Sequence, residues 1–340
     1  MEAGTRREGS AAGRDVGVAH LQRCGTGERR LTSGLVSRIT GVVTRAMADP
    51  GRECRRLKMK YGLSVFDPQP EGVGLYLYPA EQVSQRIFGR NFETAVRQAF
   101  VDLLWPGWTV VDAGANLGLY TAIAARLVGP SGRVFAFEPS ERECRRARKT
   151  IRANHFNNVD LYLTALGDSD GEVSLTVCEE SCGAYNSIGK LTHPDALGHM
   201  SHVERVTCRS LDSFMAEKKV RQVHAVKMDV EGAEELVLRG GRQLFSSQEG
   251  PLIFCEVSDK TAPGLNSSAE KVLALLGEYG YEMFTVAPES GGYTLRPQEA
   301  RGRIEYEEVL AVKPWQASEL TRIGGNGTGR SRMGQGRDEG

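Results

Sequence analysis

The chain has 340 residues, is 40% apolar and balances 43 basic against 43 acidic side chains, for a formal charge of zero. That balance offers no basic footprint of the kind a nucleic-acid-binding domain carries, so no nucleic-acid partner is expected. No apolar run approaches the length of a membrane span, and none is expected.

Charge is nonetheless uneven, because residues 1–60 hold thirteen Lys/Arg against six Asp/Glu. Residues 1–50 read as a disordered basic leader and 321–340 as a disordered glycine-rich tail, since neither can bury a core. An arginine-rich leader suits organellar targeting, but Glu2, Glu8, Asp15 and Glu28 argue against it, and a cytoplasmic location is expected. Seven cysteines, odd in number and without a C-x-x-C pair, read as free thiols in a reducing compartment. Cys178 and Cys182 have no Cys/His pair at finger spacing to complete a ligand set, so no metal is expected there.

Between the tails one domain is expected over 60–315, with its core from 107. Residues 75–78 read as a strand and 91–104 as an amphipathic helix that stops at Trp105-Pro106-Gly107. A β-branched run over 109–113 predicts a buried strand, followed by a glycine turn and a helix over 117–128. A second strand over 133–138 leads through Pro139 into a charged helix to about 154, and a third strand follows over 159–165. Alternation over 171–178 predicts a half-exposed strand, then a looser stretch over 179–202 and a short helix after 212. A buried strand over 223–230 precedes a helix over 231–239 that Gly240-Gly241 should stop. A strand over 252–257, a helix over 269–279 and strands near 281–286 and 308–312 complete the alternation. Strands alternating with helices predict a mostly parallel α/β sheet covered on both faces.

The chemistry concentrates at strand ends. Gly114 and Gly118 let backbone approach a ligand, yet their spacing is neither G-x-G-x-x-G nor a Walker sequence, which disfavours an NAD-type oxidoreductase. Asp112 ends the first core strand, where ligands bind in open α/β sheets. An acid there opposes a pyrophosphate but suits an ammonium group, such as that of S-adenosylmethionine, and cofactor contact is preferred over a capping role. Glu138 ends the next strand and is placed to accept from both ribose hydroxyls. Asn116 either bonds its own turn or faces the methionine carboxylate.

Lys227 and Asp229 interrupt an otherwise apolar strand, and their i, i+2 spacing puts them on one face. A structural ion pair is one reading; the preferred one places Asp229 at the transferred group. Glu231 either favours a helix N-terminus or joins Asp229 in catalysis. Asp229 and Glu256 at neighbouring strand tips are hard oxygen ligands, but two carboxylates do not make a metal site. His193, His199, His202 and His224 have no spacing that singles out a base.

Four motifs in order, Val-Asp-Ala-Gly-Ala-Asn-Leu-Gly (111–118), Phe-Glu-Pro (137–139), Ala-Leu-Gly-Asp (165–168) and Lys-Met-Asp-Val-Glu-Gly-Ala-Glu (227–234), resemble the FkbM-type S-adenosylmethionine-dependent methyltransferases over about residues 85–315. The resemblance implies a Rossmann-like, seven-stranded methyltransferase fold whose last two strands form an antiparallel hairpin, with the 91–104 segment packed over the cofactor. It also implies S-adenosylmethionine as cofactor and a small-molecule or glycan hydroxyl as methyl acceptor. By the same likeness Ala165 and Leu166 line the adenine pocket, and Asp168 is either beside it or a plain turn residue. Asn186 and Ser187 lie either at the acceptor pocket's mouth or in a turn-rich loop. A cofactor-binding module without turnover is the alternative of another class, and the oligomeric state is not legible.

Overall fold

The computed structural model describes residues 49–299, 302–317 and 320. The leader over 1–48, with its targeting question, and the tail over 321–340 lie outside the described residues. The chain divides into two compact units, 1–54 and 55–340. Of the first unit only Asp49 and the opening residues of helix α1 (Pro50–Lys60) are described.

In the second unit a two-stranded ribbon, β1 (Val65–Pro68) and β2 (Gly74–Leu77), precedes two helices, α2 (Gln82–Phe88) and α3 (Thr94–Leu103). The core then alternates β3 (Thr109–Ala113), α4 (Leu119–Val128), β4 (Arg133–Phe137), α5 (Glu141–Ala153) and β5 (Val159–Tyr162). Next come β6 (Ala165–Leu166), β7 (Gly171–Cys178), β8 (Ser187–Ile188) and β9 (Ser201–Arg209), which form a separate four-stranded sheet in the order β6-β9-β7-β8. The chain returns through α6 (Leu211–Lys218), β10 (Ala225–Met228), α7 (Glu234–Gly240), α8 (Arg242–Ser246), β11 (Leu252–Val257) and α9 (Ala269–Glu278). It closes with β12 (Glu282–Glu289), β13 (Gly292–Pro297) and β14 (Glu307–Val312).

The central sheet runs β13-β12-β14-β11-β10-β3-β4-β5. Pairing is parallel from β11 to β5, and antiparallel where β14 inserts between β11 and β12. The expected mostly parallel α/β sheet is therefore present, but it has eight strands, not seven. The added member is β13, which pairs only with β12 and is merely half-buried, so its sequence lacks the apolar run of an interior strand. The last two expected strands, β12 and β14, do pair, with β13 between them in the chain.

The two faces of the central sheet carry separate cores. Val110, Val134, Ala225, Phe254 and Leu310 point toward α3 and α4, where Phe100 meets Tyr120 and Phe254 edge to face with centroids 5.2 and 5.1 Å apart. Val111, Phe135, Val226, Ile253 and Val309 point to the other side and pack with residues of α6 through α9. Each of the Val, Leu, Ile and Phe side chains among them contributes about 1.5–3 kcal/mol by leaving water. Burial on both faces explains why these strands read as apolar runs.

Local departures have steric causes. The third strand breaks after Tyr162, and β6 joins the smaller sheet instead. The helix expected from 231 starts at Glu234 because Glu231 holds a left-handed φ of +52°. The helix does end at the expected glycine pair, with Gly240 its last residue and Gly241 its C-cap; a Cβ on Gly240 would sit 1.9 Å from the Gly167 carbonyl oxygen. Cys178 and Cys182, expected as free thiols, are joined in a disulfide across Cα atoms 5.7 Å apart. Among the described residues no helix is long and apolar enough to cross a membrane.

Candidate functional site

A cavity of 330 Å³ opens where the carboxyl ends of β3, β4, β10 and β11 meet the β7–β8 connection. Its size falls in the usual range of ~300–1,000 Å³ for small-molecule sites. Its place follows the rule that open α/β sheets bind ligands beyond the carboxyl ends of their strands.

One part of the cavity sets a buried carboxylate beside an apolar wall. Glu138 is 5% exposed, and its carboxylate accepts the Asn116 N–H at 2.8 Å and the Ser140 N–H at 2.9 Å. Burial pushes its pKa up to about 8, against those two hydrogen bonds. Each carboxylate oxygen retains a lone pair for a further donor. Ala165, Leu166 and Phe137 supply an apolar wall beside it. Asn116, held at φ +49°, reaches the same cavity with its buried Oδ1 lacking any hydrogen-bond partner.

The turn that shapes this part depends on Gly114. Its φ is +87°, and a Cβ would lie 1.8 Å from the Asp229 carbonyl oxygen, so the loops after β3 and β10 touch backbone to backbone. Gly118, at φ +89°, serves helix packing instead, since its Cβ would meet Ala147 Cα at 3.2 Å, and it is not on the cavity wall.

Asp112 does not reach the cavity. It is 2% exposed, and Thr121 of α4 donates to its Oδ2 at 2.5 Å. Its carboxylate is instead turned to Thr121 beneath α4, although Glu256, on the same sheet face, does reach the wall. Burial raises its pKa to about 6, with Thr121 and Lys227 opposing. Asp168 is exposed, bonds Ser169 at 3.1 Å and is likewise off the wall. Ser187 lies one residue behind it, donating to the Glu231 carbonyl oxygen at 2.7 Å, while Asn186 is on the wall. Asn186 accepts the Cys178 N–H at 2.9 Å and leaves its buried Nδ2 unpaired.

The wall around Asp229 is acidic. Lys227, 1% exposed, lies 3.6 Å from Asp229 and 3.4 Å from Glu308. Parity places Asp112, Lys227, Glu256 and Glu308 on one face of adjacent strands, with Lys227 registered beside Asp112 and Glu256 beside Glu308. Glu308 also accepts the Tyr306 hydroxyl at 2.9 Å. Asp229, Glu231 and Glu256 line the cavity, and burial together with neighbouring carboxylates drives Glu231 and Glu256 well above the usual range. Glu231 keeps a buried Oε2 without a partner.

Sequence reasoning missed Glu93 and Tyr306, both on the wall. Glu93 heads α3 at φ +45° and accepts the Tyr120 hydroxyl at 2.7 Å, with burial raising its pKa to about 8. Its signal was its place at the head of the segment expected over the cofactor. Tyr306 carries no sequence signal.

The family model described as the methyltransferase FkbM domain matches residues 112–283, about half of the chain. The chain is 29% identical over 144 residues to "Methyltransferase 1" of Beauveria bassiana, covering 38% of this chain and 57% of that protein. It is thus similar to little more than half of the fungal protein's length. It is 25% identical over 208 residues to the "2-O-methyltransferase NoeI" of Sinorhizobium fredii, covering 55% of this chain and 83% of that one. Among solved structures, a methyltransferase FkbM from Methylobacillus flagellatus aligns with a TM-score of 0.39 at 14% identity, over 68% of this chain and 52% of its own.

Proposed function

The chain belongs to the methyltransferase FkbM domain family, and on that premise we propose that it transfers a methyl group from S-adenosylmethionine to a hydroxyl oxygen of a small molecule or glycan, with 60–315 as the catalytic domain. The observation that supports this reading is that one cavity is lined both by Glu138 with its apolar neighbours Phe137, Ala165 and Leu166 and by the carboxylates of Asp229, Glu231 and Glu256.

The residues present fit the cofactor. Glu138 offers lone pairs to a ribose diol, Ala165, Leu166 and Phe137 offer an apolar bed for a base, and the unpaired Asn116 Oδ1 offers an acceptor to an ammonium group. S-adenosylmethionine, when bound there, supplies an electrophilic methyl on a sulfonium. The protein's task is then alignment of an in-line displacement and removal of the acceptor's proton. Asp229 takes that proton in this reading: it lines the cavity, is 24% exposed at its side chain, and is held by Lys227. Glu231 and Glu256, whose pKa values burial and neighbouring carboxylates raise, line the same wall and are available to contact the acceptor. The oxygen preference draws support from the rhizobial relative, whose name gives it a 2-O-methyltransferase activity.

The test is release of S-adenosylhomocysteine by the purified chain over a panel of hydroxylated acceptors, with Asp229→Asn as control. Acceptor-dependent release that the substitution suppresses supports the proposal. Cofactor binding with no release from any acceptor favours a non-catalytic module.

A further inference from the structure

Beside the cavity, the antiparallel pair β7–β9 gathers three metal-ligand side chains that sequence spacing kept apart. Its register pairs Cys178 with Ser201, so His199, just before β9, returns beside the residues just after β7. One ligand atom each from Glu179, Cys182 and His199 falls within a common separation of 4.8 Å. His199 Nδ1 is 2.6 Å from Glu179 Oε1, and Ser181 Oγ contacts the same two groups at 3.4 and 3.0 Å. Glu179 and His199 are open to solvent, whereas Cys182 is 1% exposed beneath them in a small apolar cluster with Cys178 and Ala196.

A sulfur, an imidazole nitrogen and a carboxylate oxygen are the donor types of zinc, whose bonds of about 2.0–2.3 Å set donors about 3.3–3.8 Å apart around a tetrahedral ion. The present separations need only small adjustment: the His199–Glu179 pair opens and Cys182 draws in. One obstacle stands in the way. Cys182 is bonded to Cys178, and it is the thiolate that ligates metals. The bridge closes a loop of three intervening residues, the kind that constrains an unfolded chain least.

We propose that reduction of the Cys178–Cys182 disulfide exposes a zinc-class divalent-metal site formed by Cys182, His199 and Glu179. A dithiol reductant supplies two electrons and two protons, the S–S bond breaks, two protein thiols form and the reductant leaves as its own disulfide. Binding then releases the Cys182 proton to solvent as the sulfur takes the ion. Three protein ligands leave the fourth position to water. A low-molecular-weight disulfide that takes the two electrons and leaves as two thiols, drawing one proton from Cys178 and one from solvent, re-forms the Cys178–Cys182 bond and expels the ion, so the disulfide is the closed state of the site and the loaded thiolate the open one. The switch adjoins the cavity: Cys182 lies in the 3₁₀ stretch Glu180–Tyr185, which carries Tyr185 to the wall, and the Cys178 N–H holds Asn186.

The experiment is zinc retention by the full chain after chelator treatment and desalting, with and without a phosphine reductant, read as metal per chain by mass spectrometry. Cobalt substitution, followed by its thiolate charge-transfer absorption, reports sulfur ligation separately. The wild-type chain should gain about one equivalent of zinc on reduction. Cys182→Ser and the solvent-side His199→Ala should lose that gain, and Cys178→Ser should bind without reductant. His199→Ala keeps the test independent of any variant that fails to fold. Equal retention by oxidised and reduced wild type, or a gain that survives in both Cys182→Ser and His199→Ala, would overturn the proposal.

Discussion

The Lys227 ammonium lies 3.6 Å from the Asp229 carboxylate at the carboxyl end of β10, and both point to the face that Asp112 shares on β3. Lys227 is fully enclosed and also pairs with Glu308 at 3.4 Å, so one cation holds two carboxylates beside the cavity. Lys227→Met leaves Glu308 buried without its partner, and the loss should be about 3–5 kcal/mol. Urea unfolding checks it, and adding Glu308→Gln to the same chain should restore part of the loss. An additive double variant would mean the pair is not coupled.

Asp229→Asn removes the proposed proton acceptor but leaves the proposed nucleoside contacts at Glu138 intact. Turnover should fall by about 10²–10⁴ while cofactor affinity stays near that of the wild type. Steady-state kinetics beside calorimetry separates the two effects. Unchanged turnover would leave Asp229 a structural partner of Lys227.

Glu138 and Asp112 should now behave differently. Glu138→Ala should weaken cofactor binding by about 1–3 kcal/mol, the cost of leaving buried donors of the ligand without a partner. Asp112→Asn, whose side chain meets Thr121 behind the cavity, should change affinity less than Glu138→Ala does. Calorimetric titration of both variants decides it; the reverse ranking would return Asp112 to the ligand.

Gly114→Ala should be among the most damaging small substitutions. It forces a side chain into φ +87° and against the Asp229 carbonyl oxygen at 1.8 Å. The strain alone is about 1–3 kcal/mol, and the displaced Asp229 should cost turnover as well. Wild-type stability and rate in this variant would deny the close approach of the two loops.

Glu81 gives stability a pH dependence away from the cavity. It is fully buried, accepts the Ser84 hydroxyl at 2.5 Å, and burial with Glu143 raises its pKa from 4.5 to about 7. The folded state then holds this proton more tightly than the unfolded one. Its contribution is fully present below about pH 4.5 and is lost as pH rises through about 7, on the order of 3 kcal/mol. Glu81→Gln should flatten that part of the stability profile measured by urea unfolding. An unchanged slope would assign the dependence to other groups.

What the sequence disclosed followed from local pattern. The apolar runs of β3, β4, β10 and β11 are legible because helices cover both faces, and Gly114 marks a turn no other residue fits. Glu138 is legible as a strand-end acid next to Pro139. Asp112 misleads because strand-end position does not show that Thr121 of α4 takes up its carboxylate. β9 escaped notice because most of its residues are polar and exposed, as in Ser201-His202-Val203-Glu204, so its pairing with β7 writes no alternation into the chain. The Glu93, Glu256 and Glu308 gathering depends on strand order, and the nearness of His199 to Cys182 on the β7–β9 register. Neither is encoded in spacing.

The central claim is tested most directly by calorimetric titration of the purified chain with S-adenosylmethionine and, separately, with NAD. The account predicts one-site binding of S-adenosylmethionine, weakened in Glu138→Ala, and no binding of NAD. A folded chain that binds NAD, or that fails to bind S-adenosylmethionine, would contradict it.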